Sequence, residues 1–153
     1  PITLALTTAG LIAAALPAGS ITISDIFNVV PYGSGADGSA GDPLVSIWLT
    51  GREIKAICEM DASLQSAHPS VQTHLSGVGF TWNDHRLIYN KLMTCYLLDE
   101  DGSGERLRSA QLYRVVSGLS CVKQLVAMEA ASHDILSITP KYADGTAVSD
   151  LND

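Results

Sequence analysis

Positive charge is the scarcest feature of this 153-residue sequence: nine Lys and Arg stand against sixteen Asp and Glu, a net charge of −7. Nucleic-acid backbones and anionic membrane surfaces are held by clustered Lys and Arg. The basic residues here are scattered, so neither a nucleic-acid polymer nor an anionic membrane is expected as a partner. Aromatics are also few, at 6%, which removes the stacking platform that single-stranded nucleic acid needs. No uninterrupted apolar run reaches the roughly 18 residues of a membrane span. The nearest, Ile2 to Ala18, is broken by Thr7, Thr8 and Gly10 and lacks the basic start of a signal peptide, so it reads as folded structure. No initiator Met precedes it, and the sequence reads as a piece of something longer.

The three cysteines, Cys58, Cys95 and Cys121, are far apart and set among apolar residues. Structural zinc needs ligand pairs at short spacing, and a disulfide framework needs an even count. The three therefore read as buried thiols packing as small hydrophobes. His68, His74, His85 and His133 show neither H-x-x-x-H nor H-E-x-x-H spacing and read as loop or surface residues.

What is present is enough apolar content, 46%, to build one core, and a single domain over residues 1–153 is expected. Ile2 to Leu6 reads as a buried strand ended by a Thr-Thr-Ala-Gly turn, and Leu11 to Leu16 as a short helix ended by Pro17 and Gly19. Ser24-Asp25 can cap one helical turn carrying Ile26 and Phe27. Tyr32 to Pro43, with four glycines and no apolar period, is a long surface loop. Leu44 to Leu49 reads as a strand. Thr50 then caps a helix, with Glu53 as its capping-box partner and Ile54, Ile57, Cys58 and Asp61-Ala62 along one face. The second half reads as strands at Val78–Trp82, Leu87–Asn90, Lys91–Leu98, Leu112–Val116 and Ile135–Ile138. Between them fall a turn cluster at Asp99–Glu105, a helix over Leu119–Ala131 and a closing turn at Ala143–Thr146. Strands and helices alternate without βαβ regularity, so the fold class is α+β, a mixed sheet with helices packed on it.

Local chemistry offers no catalytic constellation. The acidic turn Asp99–Glu105 has its glycine at the fourth position, whereas an EF-hand loop needs it at the sixth and a Glu at the twelfth. Neither Ser76-Gly77-Val78-Gly79 nor Gly33-Ser34-Gly35 is a phosphate-cradling P-loop or dinucleotide fingerprint, and no G-x-S-x-G elbow exists. No catalytic residue and no metal ligand is assigned. What remains is a binding surface at strand ends, made by the Thr8–Gly10 turn, the Tyr32–Pro43 loop and Ser117-Gly118.

The order of several blocks resembles the C-terminal domain of the 5′-nucleotidase family. The family motif N-x-G-G-I-R-A-D-L-P-x-G-x-I-T aligns with Thr8 to Thr22, and V-x-P-F-G-N with Val29 to Ser34. L-T-G-x-E-L-K-x-x-L-E aligns with Leu49 to Glu59, S-G-L-x-F-T-Y with Ser76 to Trp82, and Y-x-V-V-T with Tyr113 to Ser117. The resemblance implies a nucleotide-recognition domain that is not catalytic alone. Its partners would be an N-terminal metallophosphoesterase domain of the same polypeptide and a nucleotide or nucleoside ligand. No cofactor is implied for this chain; two divalent metal ions are implied for the catalytic domain, which is missing here together with a first helix. An extracellular, cell-surface or periplasmic location is implied as well.

Carried over residue by residue, the resemblance assigns substrate binding to Tyr32, Ser34, Thr8 and Gly10. Tyr32 stands at the position of the first base-stacking aromatic. Thr8 and Ser34 each replace a motif Asn, keeping a hydroxyl and losing the amide. Ala13 replaces the motif Arg, whose bidentate fork no neutral side chain reproduces. The second family aromatic falls near Ser120, and its G-G-D-G-Y segment is absent. These departures leave open the alternative of a divergent, non-catalytic binding module that has lost nucleotide binding.

Overall fold

Helix α2 (Gly51–Leu64) lies against strands of two different sheets, and the core is built around it. In the computed structural model, which describes residues 4–31, 38, 41–99, 102–131 and 137–151, the first sheet has the order β2-β7-β1-β3. Its strands are β1 (Leu4–Thr8), β2 (Leu44–Thr50), β3 (Thr73–Ser76) and β7 (Leu112–Gly118). β1 runs parallel to β7 and antiparallel to β3, and β2 is antiparallel to β7, so the sheet is mixed. The second sheet is an antiparallel meander of β4 (Val78–Trp82), β5 (Leu92–Leu98) and β6 (Gly104–Arg106). The architecture is the α+β class expected from the pattern.

Period-two alternation decides which face of the first sheet is buried. Leu4, Leu6 and Thr8 of β1 and Tyr113, Val115 and Ser117 of β7 point inward. They meet Ile54, Ile57 and Cys58 of α2 and Cys121, Val122 and Leu125 of α3 (Leu119–Ala131). The opposite face, carrying Ala5 and Thr7, is left more open.

The start of α2 follows from local sequence. Thr50 Oγ1 accepts from the Glu53 N–H while Glu53 Oε2 accepts from the Thr50 N–H at 2.7 Å, the reciprocal capping box that the T-x-x-E spacing predicts. Gly51 is required by a close approach: a Cβ there would overlap the Arg108 carbonyl. The same Glu53 carboxylate also accepts from the Thr139 N–H at 2.9 Å and pairs with Lys141. Lys141 in turn forms a bridge with Trp48 of β2. Burial pushes the Glu53 carboxyl up, but Lys141, Thr50 and Thr139 together outweigh it and hold it below the ordinary glutamate value.

Two further acids of α2 hold strands. Glu59 accepts from the Lys91 and Leu92 N–H groups, each at 2.8 Å, and from Ser63 Oγ. Ser63 Oγ in turn accepts from the Tyr89 N–H, and Tyr89 occupies a left-handed conformation with φ 61°. Asp61 accepts from the Thr73 N–H at the start of β3, while burial pushes its carboxyl above the usual range. Helix α3 is seated through Asp42, whose Oδ1 accepts from the Ser120 N–H at 2.9 Å, and through the Leu119 N–H donating to the Pro43 carbonyl.

Four expectations change. Leu11–Leu16 is not helical: a 3-10 turn at Ala9–Leu11 gives way to extended backbone at Ile12, and the Ala13 N–H donates to the Val29 carbonyl at 2.7 Å. Six residues with no buried face do not offset helix nucleation. The cap of α1 (Ile23–Val29) is Thr22, with Asp25 closing a capping box, rather than Ser24-Asp25. Leu87–Asn90 is a turn, because Ser63 takes its backbone N–H in place of a strand partner. Residues 104–106, expected within a turn, add the edge strand β6. Of the expected strand at Ile135–Ile138, residues 135 and 136 lie outside the described residues, while 137 and 138 are not in a strand and Ile138 is in the core.

Replacing Glu53 by Gln keeps its shape and strands the Lys141 charge, so unfolding in urea should register a loss of about 2–4 kcal/mol at pH 7. A depressed folded pKa means this contribution is complete above about pH 4.3, the ordinary glutamate value, and disappears as pH falls through the lower folded value. The gap between wild type and E53Q should therefore narrow in acid. Asp42→Ala removes the acceptor at the start of α3 and should cost about 1 kcal/mol in the same assay.

Candidate functional site

The open face of the first sheet carries a groove of about 490 Å³ at the C-terminal ends of β1 and β7. Register explains its floor. Ala5 faces Val116 on one side and Ser76 on the other, while Thr7 pairs with His74 and Leu44 with Gly118. These are the residues that alternation turns away from the core, and most are small, so the floor is low and largely apolar. Leu11 from the 3-10 turn, Val30 from the end of α1 and Asp42 ahead of β2 make the rim.

Polar groups are few: the Thr7 and Ser76 hydroxyls, the exposed His74 imidazole and the Asp42 carboxylate. Mostly apolar lining with a few convergent polar groups is the general character of a small-molecule site. No Lys or Arg lines the groove among the described residues. Among those residues there is also no group of three or more His, Cys, Asp and Glu that could hold a metal ion. No helix among them is long and apolar enough to cross a membrane.

Of the four residues assigned to binding, two are described. Thr8 is fully buried, and its Oγ1 donates to Gln124 Oε1 of α3 at 2.7 Å, on the face of β1 away from the groove. Gly10 sits in the 3-10 turn, where an added Cβ would come within 2.7 Å of the Ser70 carbonyl oxygen, so its lack of a side chain lets two turns pack together. Its neighbour Leu11 reaches the groove. Tyr32 and Ser34 lie outside the described residues; Val30, two positions before Tyr32 in the chain, is on the rim. Of the third expected segment, Gly118 lines the groove, whereas the Ser117 hydroxyl is buried against the Leu6 carbonyl. Ala13 is exposed, and Ser120 occupies the first turn of α3 with its N–H on Asp42.

Sequence reasoning missed Thr7, His74 and Ser76, whereas Asp42 lies in the Tyr32–Pro43 loop that it assigned to the binding surface. Their signal was present as strand alternation, since residues 74 and 76 share one face of a short strand and Thr7 is out of phase with Leu4, Leu6 and Thr8. What the sequence did not show is that Asp42 also meets the Ser120 N–H, because that contact depends on where α3 begins.

Comparison with known proteins agrees with the fold. No curated protein sequence matches the chain significantly. Among solved structures, a 5′-nucleotidase precursor from Thermus thermophilus superposes with a TM-score of 0.67 at 22% identity, covering 99% of this chain and 27% of that one. The NAD nucleotidase of Haemophilus influenzae gives a TM-score of 0.61 at 16% identity, covering 83% of this chain and 23% of that one. The chain thus spans about a quarter of the length of the structures it matches. The family model described as "5′-nucleotidase, C-terminal domain" matches residues 2–118, which include both sheets and the groove. The chain belongs to the 5′-nucleotidase C-terminal domain family.

Proposed function

We propose that this chain is the nucleotide-recognition part of an exported 5′-nucleotidase-like phosphoester hydrolase and is not catalytic by itself. The observation that carries the reading is the groove, which collects the ends of three motif-bearing segments: Leu11 after Thr8–Gly10, Val30 before Tyr32, and Gly118 after Tyr113–Ser117. Its apolar floor and hydroxyls suit the base and ribose of a nucleoside, with Tyr32 stacking on the base. It supplies no cation among the described residues, so the phosphate would be met by the N-terminal metallophosphoesterase domain. There, two divalent ions would polarise the phosphate and activate a water. Export is proposed from the family; the relative from Thermus thermophilus is described as a precursor.

A second reading, a divergent module that no longer binds nucleotides, draws on one observation. Thr8 is committed to Gln124 and Ala13 carries no polar group, so two positions of the opening motif present nothing to a ligand.

Calorimetric titration of the chain separates the two. Adenosine and AMP should bind saturably and similarly, and inorganic phosphate should give no heat. Tyr32→Ala should weaken nucleoside binding about tenfold, the value of one stacking contact. No heat with adenosine, AMP or UDP-sugars establishes the second reading. Phosphate released from AMP by the purified chain in the presence of chelator would overturn the non-catalytic assignment.

A further inference from the structure

The three cysteines do not share the core equally. Cys121 sits on α3, fully buried beside Ser117 and Thr8, and burial pushes its thiol up. Cys58 and Cys95 face each other from α2 and β5, with their sulfurs 3.6 Å apart and both residues almost completely buried. Two thiols in contact would mean little in a core that could slide. This contact is held from outside itself. The residue after Cys58, Glu59, takes the N–H groups of Lys91 and Leu92 and so fixes the start of β5 against the helix. One turn earlier, Lys55 is anchored on the Leu107 carbonyl and Ser109. On the other flank Cys95 is in register with Phe80 of β4.

We propose that Cys58 and Cys95 form a disulfide bond that ties α2 to the second sheet. A disulfide requires sulfurs about 2.05 Å apart, so the two sulfurs must approach from their present 3.6 Å. The pair is also chemically unequal. The Cys58 S–H facing it, and beyond that the Lys55 ammonium, hold the Cys95 thiol below its ordinary value in spite of burial. The same contact and burial push the Cys58 thiol up.

The oxidant is a disulfide, either small-molecule or protein, met while the chain folds and before the core closes. The thiolate of one of the two cysteines attacks one sulfur of the oxidant, breaking its S–S bond and releasing one thiolate. The other cysteine then loses its proton to solvent and attacks the protein sulfur of the mixed disulfide, releasing the second thiolate. Both released thiolates take up protons. Two cysteine thiols are oxidised by two electrons, and one oxidant disulfide is reduced to two thiols. Persistence of the bond in the cell rests on the export proposed above, since oxidising compartments preserve disulfides. Its formation in vitro does not depend on the nucleotide reading.

The test is to refold the chain in oxidised and reduced glutathione, block free thiols with an alkylating agent under denaturing conditions, and map the peptides. The expected product has lost two hydrogens, contains one Cys58–Cys95 cross-linked peptide and carries the alkyl group on Cys121 alone. Its melting temperature should lie about 5–10 °C above that of the reduced form, and Cys121→Ser should give the same bond and the same shift. Alkylation of all three cysteines, a cross-link that includes Cys121, or a glutathione adduct that never closes to the protein disulfide would each overturn the proposal. Peptide mapping of the unsubstituted chain decides the matter even if Cys121→Ser fails to fold. A negative nucleotide titration leaves this result untouched.

Discussion

The carboxylate of Glu53 is the constraint on which the first sheet, its helix and the C-terminal segment all depend. A buried charge is tolerated only when its acceptors are filled, and here one side chain closes the α2 capping box, takes the Thr139 N–H and neutralises Lys141. Lys141 is bridged to Trp48 of β2, so the acid that starts the helix also fixes where the last described segment lies. Because α2 is placed in this way, Ile54, Ile57 and Cys58 meet the inward faces of β1 and β7.

The two acids further along α2 extend the same logic to the rest of the molecule. Asp61 receives β3 and Glu59 receives β5, which brings the second sheet onto the helix face opposite Cys95. The groove is a by-product of this arrangement. Both helices that pack on the first sheet occupy its inner face, so the residues of opposite phase on β7, β1 and β3 remain available beneath Leu11, Val30 and Asp42.

Much of the fold was legible from residue order. The T-x-x-E box predicted α2, alternation predicted β2, β4 and β7, and Leu119–Ala131 was found as a helix with the expected bounds. Errors fell where a local pattern had a distant competitor. The apolar Leu11–Leu16 stretch looked helical, yet its backbone is used by α1. Leu87–Asn90 looked like a strand, yet Ser63 claims Tyr89. The candidate site was legible only in outline: Leu11, Val30 and Gly118 mark the segments that resemblance singled out, while Thr8 proved to face the core.

The sequence by itself determined the acidic charge, the alternating and helical periods, the caps and the family-wide order of motifs. Charge is a sum over the residues and motif order is read along the chain, while the periods and caps are set by side chains within a few positions of one another. Only the tertiary structure decided which carboxylates become buried ties, that Thr7, His74 and Ser76 share a groove, and that Cys58 touches Cys95 and not Cys121. These pairings cross tens of residues, and their partners are chosen by how the whole apolar surface packs, a quantity that no short window of sequence contains.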